Sequence, residues 1–328
     1  MDQSGFWFVA CISNPCRFAS RYRLYREFRK HIVEELGANL LTIECAFGDR
    51  PHEVVGPEVH PNPREIHIQV RSDSEVWIKE NLLNLGFRHM PPSCRYVAWV
   101  DADIRFLRKD IVEETIHQLQ HYGIVQMFQH CLDLGPTGEV METHTSFGYS
   151  LVANNSALPH RHRHRRHGYM GAAGGYAGPG GFWHPGYAFA ARREILDRLG
   201  GLLDIGALGA ADHHMCLAWV GRVEESIPEG IHENYRQALI AYQDRAAAVL
   251  HQNFGYVPGT IVHSFHGKKR DRRYNSRWDI LIRHAFDPIR HLRRNLHGVI
   301  ELDPCHIGLR DGIRAYFRAR NEDSIDAE

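Results

Sequence analysis

The chain has 328 residues, of which 43% are hydrophobic and 24% charged, with 39 Lys/Arg balancing 39 Asp/Glu. That mixture is ordinary for a globular protein with a full core, as one large α/β domain or two small ones. No apolar run approaches the roughly 20 residues that span a bilayer. The seven cysteines form no C-x-x-C pair, so reduced structural thiols and a cytoplasmic protein are expected.

Phe6 to Ile12 (FWFVACI) reads as a first strand, too short and without a basic leader for a signal core. Pro15, Arg17 and Arg21 follow, then a helix in which Tyr25, Phe28, Ile32 and Leu36 recur at helical spacing until Gly37. Asn39 to Cys45 is a second buried strand, and a third is expected over 66–70. Ser74 caps a helix predicted from Glu75 to Leu85 and ended by Gly86. Tyr96 to Val100 (YVAWV) has the length and composition of a buried strand, with Asp101 and Asp103 at its exit. A helix near 110–121 and a strand at 123–128 come next. This alternation predicts an α/β fold with a mostly parallel, Rossmann-like central sheet flanked by helices. G-x-G-x-x-G after the first strand and G-x-x-x-x-G-K-[ST] are both missing, which disfavours dinucleotide oxidoreductases and P-loop enzymes.

Between 160 and 186 the composition changes to HRHRHRRH followed by a passage in which eight of nineteen residues are glycine. Such a segment cannot build a core. It suits either a surface insertion or a mobile lid, with Trp183 and His184 near its hinge and Tyr187 beyond. Strand–helix patterning resumes over 187–199, and Asp212 to Val220 is another apolar-faced helix. Thr260-Ile261-Val262 precedes His263-Ser264-Phe265-His266-Gly267-Lys268-Lys269. The expected organisation is one catalytic domain over 1–280, with a nucleotide-binding half (1–110) and an acceptor half (111–280). A helical extension, 281–328, ends in a frayed acidic tail.

Several segments could carry chemistry. In open α/β sheets ligands bind beyond the carboxyl ends of the strands. Two carboxylates placed there can hold Mg²⁺ or Mn²⁺ against a diphosphate. Asp101 and Asp103 stand at such a point, although a solvated strand-end loop would look the same. Arg17 and Arg21 could contact a nucleotide, or sit on a solvated helix face. Lys79 could reach a diphosphate or be a surface lysine. Asp212 at a helix start is either a cap or an ionised base. His263 and His266 at a strand end could complete a metal site begun by carboxylates, with Lys268 and Lys269 on the anion.

Taken in order, Pro15/Arg17/Arg21, the helix end Leu82-Leu83-Asn84-Leu85-Gly86-Phe87, Asp101/Asp103, Asp212 and His263/His266 resemble the GT-A-fold glycosyltransferases. The β-1,4-galactosyltransferase type is the nearest. That family has a proline–arginine turn, an L-L-N-x-G-F helix end, D-x-D, a Gly-rich passage, an acidic helix start and a late metal-binding histidine, and the resemblance spans about residues 6–275. Here the acidic helix start is reduced to Ala210-Ala211-Asp212-His213, and no membrane anchor or disulfide pattern is visible, which suits a bacterial or phage-like relative.

The resemblance implies transfer of a sugar from a nucleotide diphosphate donor of the UDP-sugar kind to an acceptor hydroxyl with inversion. Asp101, Asp103, His263 and His266 would hold Mn²⁺ or Mg²⁺. Pro15, Arg17, Arg21, Lys79, Asp101, Lys268 and Lys269 would bind the donor, and Asp212 would be the base. Trp183, His184 and Tyr187 would face the acceptor. The basic stretches 161–166 and 268–294 make hydroxymethylated DNA one candidate acceptor, beside saccharides and small molecules. Rival readings are a sugar nucleotidyltransferase and a non-catalytic nucleic-acid-binding protein.

Overall fold

The computed structural model describes residues 3–54, 62–154, 183–274 and 276–326. Its first six strands are β1 (Phe6–Ser13), β2 (Asn39–Phe47), β3 (Glu65–Ser72), β4 (Tyr96–Val100), β5 (Ile104–Phe106) and β6 (Ile124–Gln126). They are followed by β7 (His130–Leu134), β8 (Val140–Ser146), β9 (Trp183–His184), β10 (Ala188–Arg192), β11 (Phe254–Tyr256) and β12 (Thr260–His263). The main sheet has the order β11-β6-β10-β4-β1-β2-β3. All its pairs are parallel except the two made by β10, which runs antiparallel to β4 and β6. The expected mostly parallel α/β sheet flanked by helices is present.

Both faces of this sheet are covered, which explains why its central strands read as nearly continuous apolar runs. Trp7, Val9, Val97 and Trp99 face one core, and Phe6, Phe8, Ala98 and Val100 the other. Helix α1 (Ala19–Arg29) lays Phe28 on the second face, and its chain continues through a π-helical turn, Lys30–Glu35, that buries Ile32 and Val33. Helix α2 (Lys79–Arg88) lies on the first face. It starts four residues later than the sequence suggests and runs through Gly86 instead of stopping there. A Cβ at Gly86 would lie 2.4 Å from Ile43 Cδ1 and 3.1 Å from Val9 Cγ1, so this glycine lets the helix approach the sheet closely.

Helices α3 (Ile111–Gln118), α4 (Phe147–Ala153), α5 (Arg193–Leu199), α6 (Ala211–Trp219) and α7 (Glu233–Leu250) complete the body. The long α7 escaped the sequence reading, although Tyr235, Leu239, Tyr242, Ala246 and Leu250 mark its buried stripe. A second sheet, β5-β12-β7-β8-β9, stands beyond the carboxyl end of β4. No described helix is long and apolar enough to cross a membrane.

The chain ends with α8 (Trp278–Arg283), α9 (Pro288–His291), the hairpin β13 (Leu292–Arg294) and β14 (Ile300–Leu302), and α10 (Ile307–Ala319). Ile300, Leu309, Ile313 and Phe317 join the core that α2 occupies. The acidic end differs from the expected fraying. Glu322 is buried, and Asp323 accepts hydrogen bonds from Ala19 N (2.9 Å) and Ser20 N (2.7 Å) at the start of α1. One buried carboxylate and one exposed one thus fasten the end as far as these residues. Most of the Gly/His-rich stretch, including the run 161–166, lies outside the described residues.

Candidate functional site

Strand pairing assembles the site. β12 lies between β5 and β7, with His263 opposite Ile104 on one side and Asp133 on the other. Ser264 N donates to Asp103 O at 2.9 Å, which fixes the D-x-D turn against the end of β12. Three side chains then converge. His266 Nε2 is 3.1 Å from Asp103 Oδ2 and 3.2 Å from His263 Nε2, while His263 Nε2 is 3.7 Å from Asp103 Oδ1. Adjacent ligands of one octahedral divalent ion, each about 2.1 Å from it, are roughly 3 Å apart. Asp103 Oδ1 is buried and accepts no hydrogen bond among the described residues. A carboxylate oxygen left in this state costs free energy unless a cation or donor meets it. The mixed carboxylate–imidazole set and its spacing fit Mn²⁺, for which oxygen and nitrogen ligands are both suitable.

Electrostatics follow from the crowding. Burial disfavours the Asp103 carboxylate, but His263 and His266 outweigh this and hold it well below the usual range. Burial pulls His263 down, yet its position between Asp103 and Asp133 pushes it up to about 10. Burial and the neighbouring Arg272 lower His266 to about 4. Arg272 Nη2 donates to His266 Nε2 at 3.1 Å, so a guanidinium already presents itself at the face where the ligand atoms meet.

Asp101 points to a different partner, forming a close ion pair with Lys79 Nζ. Burial opposes the Lys79 charge, but Asp101, Glu80 and Asp212 raise its pKa. Lys79 therefore sits in the field of both Asp101 and Asp212. Asp212 lies in the first turn of α6, after Ala210 in the left-handed region (φ 74°). Its Oδ2 would be 2.8 Å from a Cβ at Gly186, so the glycine makes room for the carboxylate. His184 and Tyr187 flank this glycine and stack at 4.0 Å with an interplanar angle of 4°, and Tyr187 also meets His263 at 4.7 Å. Trp183 is buried and stacks on His213 at 5.6 Å. Asp101 N donates to Tyr187 O at 2.8 Å, tying this segment to the D-x-D turn.

The remaining expected donor contacts are spread more widely. Pro15 and Arg17 belong to the loop after β1, beside a cleft lined by Ile12, Asn14, Tyr22, Glu44 and Arg50. Arg17 is exposed and 3.2 Å from Glu53. Arg21 is committed to Glu322 and to Ser13 O. Lys268 is 3.5 Å from Asp326, and Lys269 is held by Asp133 at 2.5 Å and by Glu142. Much of the basic stretch is likewise matched inward: Arg277 is buried, Arg293 reaches Glu301 and Arg294 reaches Asp204.

Asp133, Arg272 and Glu322 escape the sequence reading. Asp133 sits in HCLDL, where alternation offers only the hint of an acid on a partly buried strand. Arg272 is not singled out within the basic stretch 268–294, and Glu322 reads only as the start of an acidic tail.

No protein-family model and no curated protein sequence matches the chain. Among solved structures it is similar to the mannosyltransferase PcManGT from Pyrobaculum calidifontis in complex with GDP-Man and Mn²⁺. That pair shares 17% identity at a TM-score of 0.45, over 96% of this chain and 69% of the other. It is also similar to the catalytic domain of Drosophila β1,4-galactosyltransferase 7 in complex with xylobiose, at 11% identity and a TM-score of 0.40, over 94% of this chain and 98% of that one. A third similar structure is S. aureus TarS 1–349, at 8% identity and a TM-score of 0.32, covering 96% of this chain and 71% of that chain.

Proposed function

We propose that the chain is a metal-dependent glycosyltransferase that moves a sugar, with inversion, from a nucleotide diphosphate donor of the UDP-sugar class to an acceptor hydroxyl. One observation carries this reading: Asp103, His263 and His266 converge around an unshared carboxylate oxygen at the carboxyl end of β4, beside Lys79–Asp101 and Asp212. Asp103, His263 and His266 would hold Mn²⁺ or Mg²⁺, with Asp101 placed to join through water. When bound, the ion neutralises charge on a departing diphosphate.

The side chains divide the remaining work. Lys79, Lys268 and Arg272 present cations to the diphosphate, where developing charge is stabilised. Arg17 lines the cleft at the end of β1 for the nucleoside, with Pro15 and Arg21 beside it in the chain. Asp212 accepts the acceptor hydroxyl's proton as that oxygen bonds to the anomeric carbon. The bond from this carbon to the diphosphate oxygen breaks, and the diphosphate leaves with the electron pair. Trp183, His184 and Tyr187 form the wall on the acceptor side. Because much of the 268–294 charge is matched by internal partners, a polyanion-tracking face draws little support from it, and saccharide and DNA acceptors enter the test on equal terms.

The test is release of free nucleoside diphosphate from a panel of nucleotide-sugars with Mn²⁺, Mg²⁺ or EDTA. Native chain and Asp103→Ala are compared, first without acceptor and then with saccharides or hydroxymethylated DNA. Metal-dependent release from one donor, lost in the variant, is the expected result. Failure of every donor both to bind and to turn over would overturn the proposal.

A further inference from the structure

We infer that Asp133 is the positioning carboxylate of the metal site, fixing His263 from behind so that its Nε2 faces the ion. The inference rests on the metal site proposed above and adds a residue outside the D-x-D turn and the histidine pair.

The geometry is specific. Asp133 is 4% exposed, and its Oδ1 is in close contact with His263 Nδ1. A carboxylate only accepts, so Nδ1 must carry the proton of that hydrogen bond. This leaves the opposite nitrogen, Nε2, on the side of Asp103 and His266. Histidine ligands are characteristically oriented through their second nitrogen in this manner, which fixes the tautomer and raises the basicity of the ligating atom. Strand register imposes the arrangement: His263 and Asp133 are direct partners across the parallel β12–β7 pair. Tyr187, tilted over the His263 ring at 4.7 Å, restricts its rotation.

The far side of Asp133 shows why it does not become a ligand itself. Asp133, Glu142 and His144 form a second group with metal-ligand chemistry. Lys269 Nζ reaches into it, 2.5 Å from Asp133 Oδ2 and in close contact with Glu142. His144 Nε2 lies 3.2 Å from the same Oδ2. The lysine ammonium is thus the resident cation of this second group. Asp133 Oδ2 is held by Lys269 and His144, and Oδ1 is left to His263.

The experiment measures Mn²⁺ binding to the full chain by the electron paramagnetic resonance signal of the free ion, which requires no turnover. Native chain, Asp133→Asn, Asp133→Glu and Asp103→Ala are compared, with circular dichroism to verify folding. The expected result is 10–100-fold weaker binding in Asp133→Asn, partial recovery in Asp133→Glu, and loss in Asp103→Ala. Native affinity in a folded Asp133→Asn, with binding lost in Asp103→Ala, would overturn the positioning role alone. Native affinity in Asp103→Ala would overturn the metal site and this inference with it. If Asp133→Asn does not fold, ¹⁵N-histidine resonances of the native chain loaded with Mg²⁺ decide the matter. His263, assigned by its loss in His263→Gln, should be protonated at Nδ1, and an Nε2–H tautomer there would overturn the proposal.

Discussion

Asp212 and Lys79 show how a residue's neighbours decide what a motif can mean. The sequence offers Asp212 equally as a helix cap and as a base. In the structure the N-cap of α6 is Ala210 rather than Asp212, whose Oδ1 accepts from His213 N at 2.8 Å in the first turn while its Oδ2 faces Gly186. A carboxylate aimed at the segment Trp183–Tyr187 is placed to take a proton. Asp212→Asn should therefore lower kcat by about 10²–10⁴-fold while leaving donor affinity within a few-fold, since general-base catalysis has that magnitude. Single-turnover transfer together with donor binding by calorimetry measures both, and near-native turnover would remove Asp212 from the mechanism. The D-x-D acids and both histidines stand out at this scale because they sit at or just beyond the ends of the apolar strands β4 and β12. Asp133 was not: it reaches His263 across 130 residues of sequence, and only strand pairing creates the contact.

Elements reveal what packing adds to propensity. Alternation and helical spacing locate the central strands and the helices α1, α2, α3, α5 and α6 within a few residues, but Gly86 reads as a stop signal and acts instead as a contact surface. Gly148 is equally close to its neighbour but faces one that yields less. A Cβ there would lie 2.4 Å from Gly255 O, on the backbone of β11, which has no rotamer through which to yield. Gly148→Ala should cost about 1–3 kcal/mol, the usual range for overpacking, and more than Gly86→Ala, which meets the end of an isoleucine side chain. Urea unfolding of the two variants gives the ranking, and the reverse order would contradict it. Helix α6 adds a pH-sensitive element. His214 is fully buried, with Nδ1 2.7 Å from Ser226 Oγ and Nε2 3.3 Å from Tyr235 OH. Ser226 donates its own proton to Val223 O, so His214 Nδ1–H donates to Ser226 and Nε2 accepts from Tyr235. Burial, reinforced by Arg277, lowers its pKa to about 3. The unfolded chain, with an ordinary imidazole near 6.5, then takes up the proton first. This contribution is complete above pH 6.5 and falls away towards pH 3, by up to about 1.4 kcal/mol per pH unit. Urea unfolding between pH 7 and 4 should show a shallower acid loss for His214→Gln than for the native chain, and parallel profiles would refute it.

For the whole molecule, the decisive feature is how the chain's end is fastened to its beginning. Composition suggests that 322–328 frays, because a short acidic run normally remains in water. Here the field of the fold reverses that expectation. Glu322 has no exposed side-chain surface and is gripped by Arg21, through two nitrogens, and by Arg320 Nε at 2.5 Å. Its Oε2 is 3.9 Å from His266 Nδ1, so the fastening lies directly behind a proposed metal ligand. Burial penalises the carboxylate, and the two arginines hold its pKa well below the ordinary range all the same. A folded-state pKa below the unfolded value contributes stability that is present above the unfolded value and lost as pH falls through the folded one. Removing one partner of such a buried pair leaves the others uncompensated and typically costs about 3–5 kcal/mol. Glu322→Gln should lose that much in urea unfolding at pH 7, and the deficit should shrink as the native carboxylate is itself protonated in acid. The same variant should weaken Mn²⁺ binding only modestly, because Asp103, His263 and Asp133 stay in place. A variant of native stability would show that the end of the chain rests on the body without holding it.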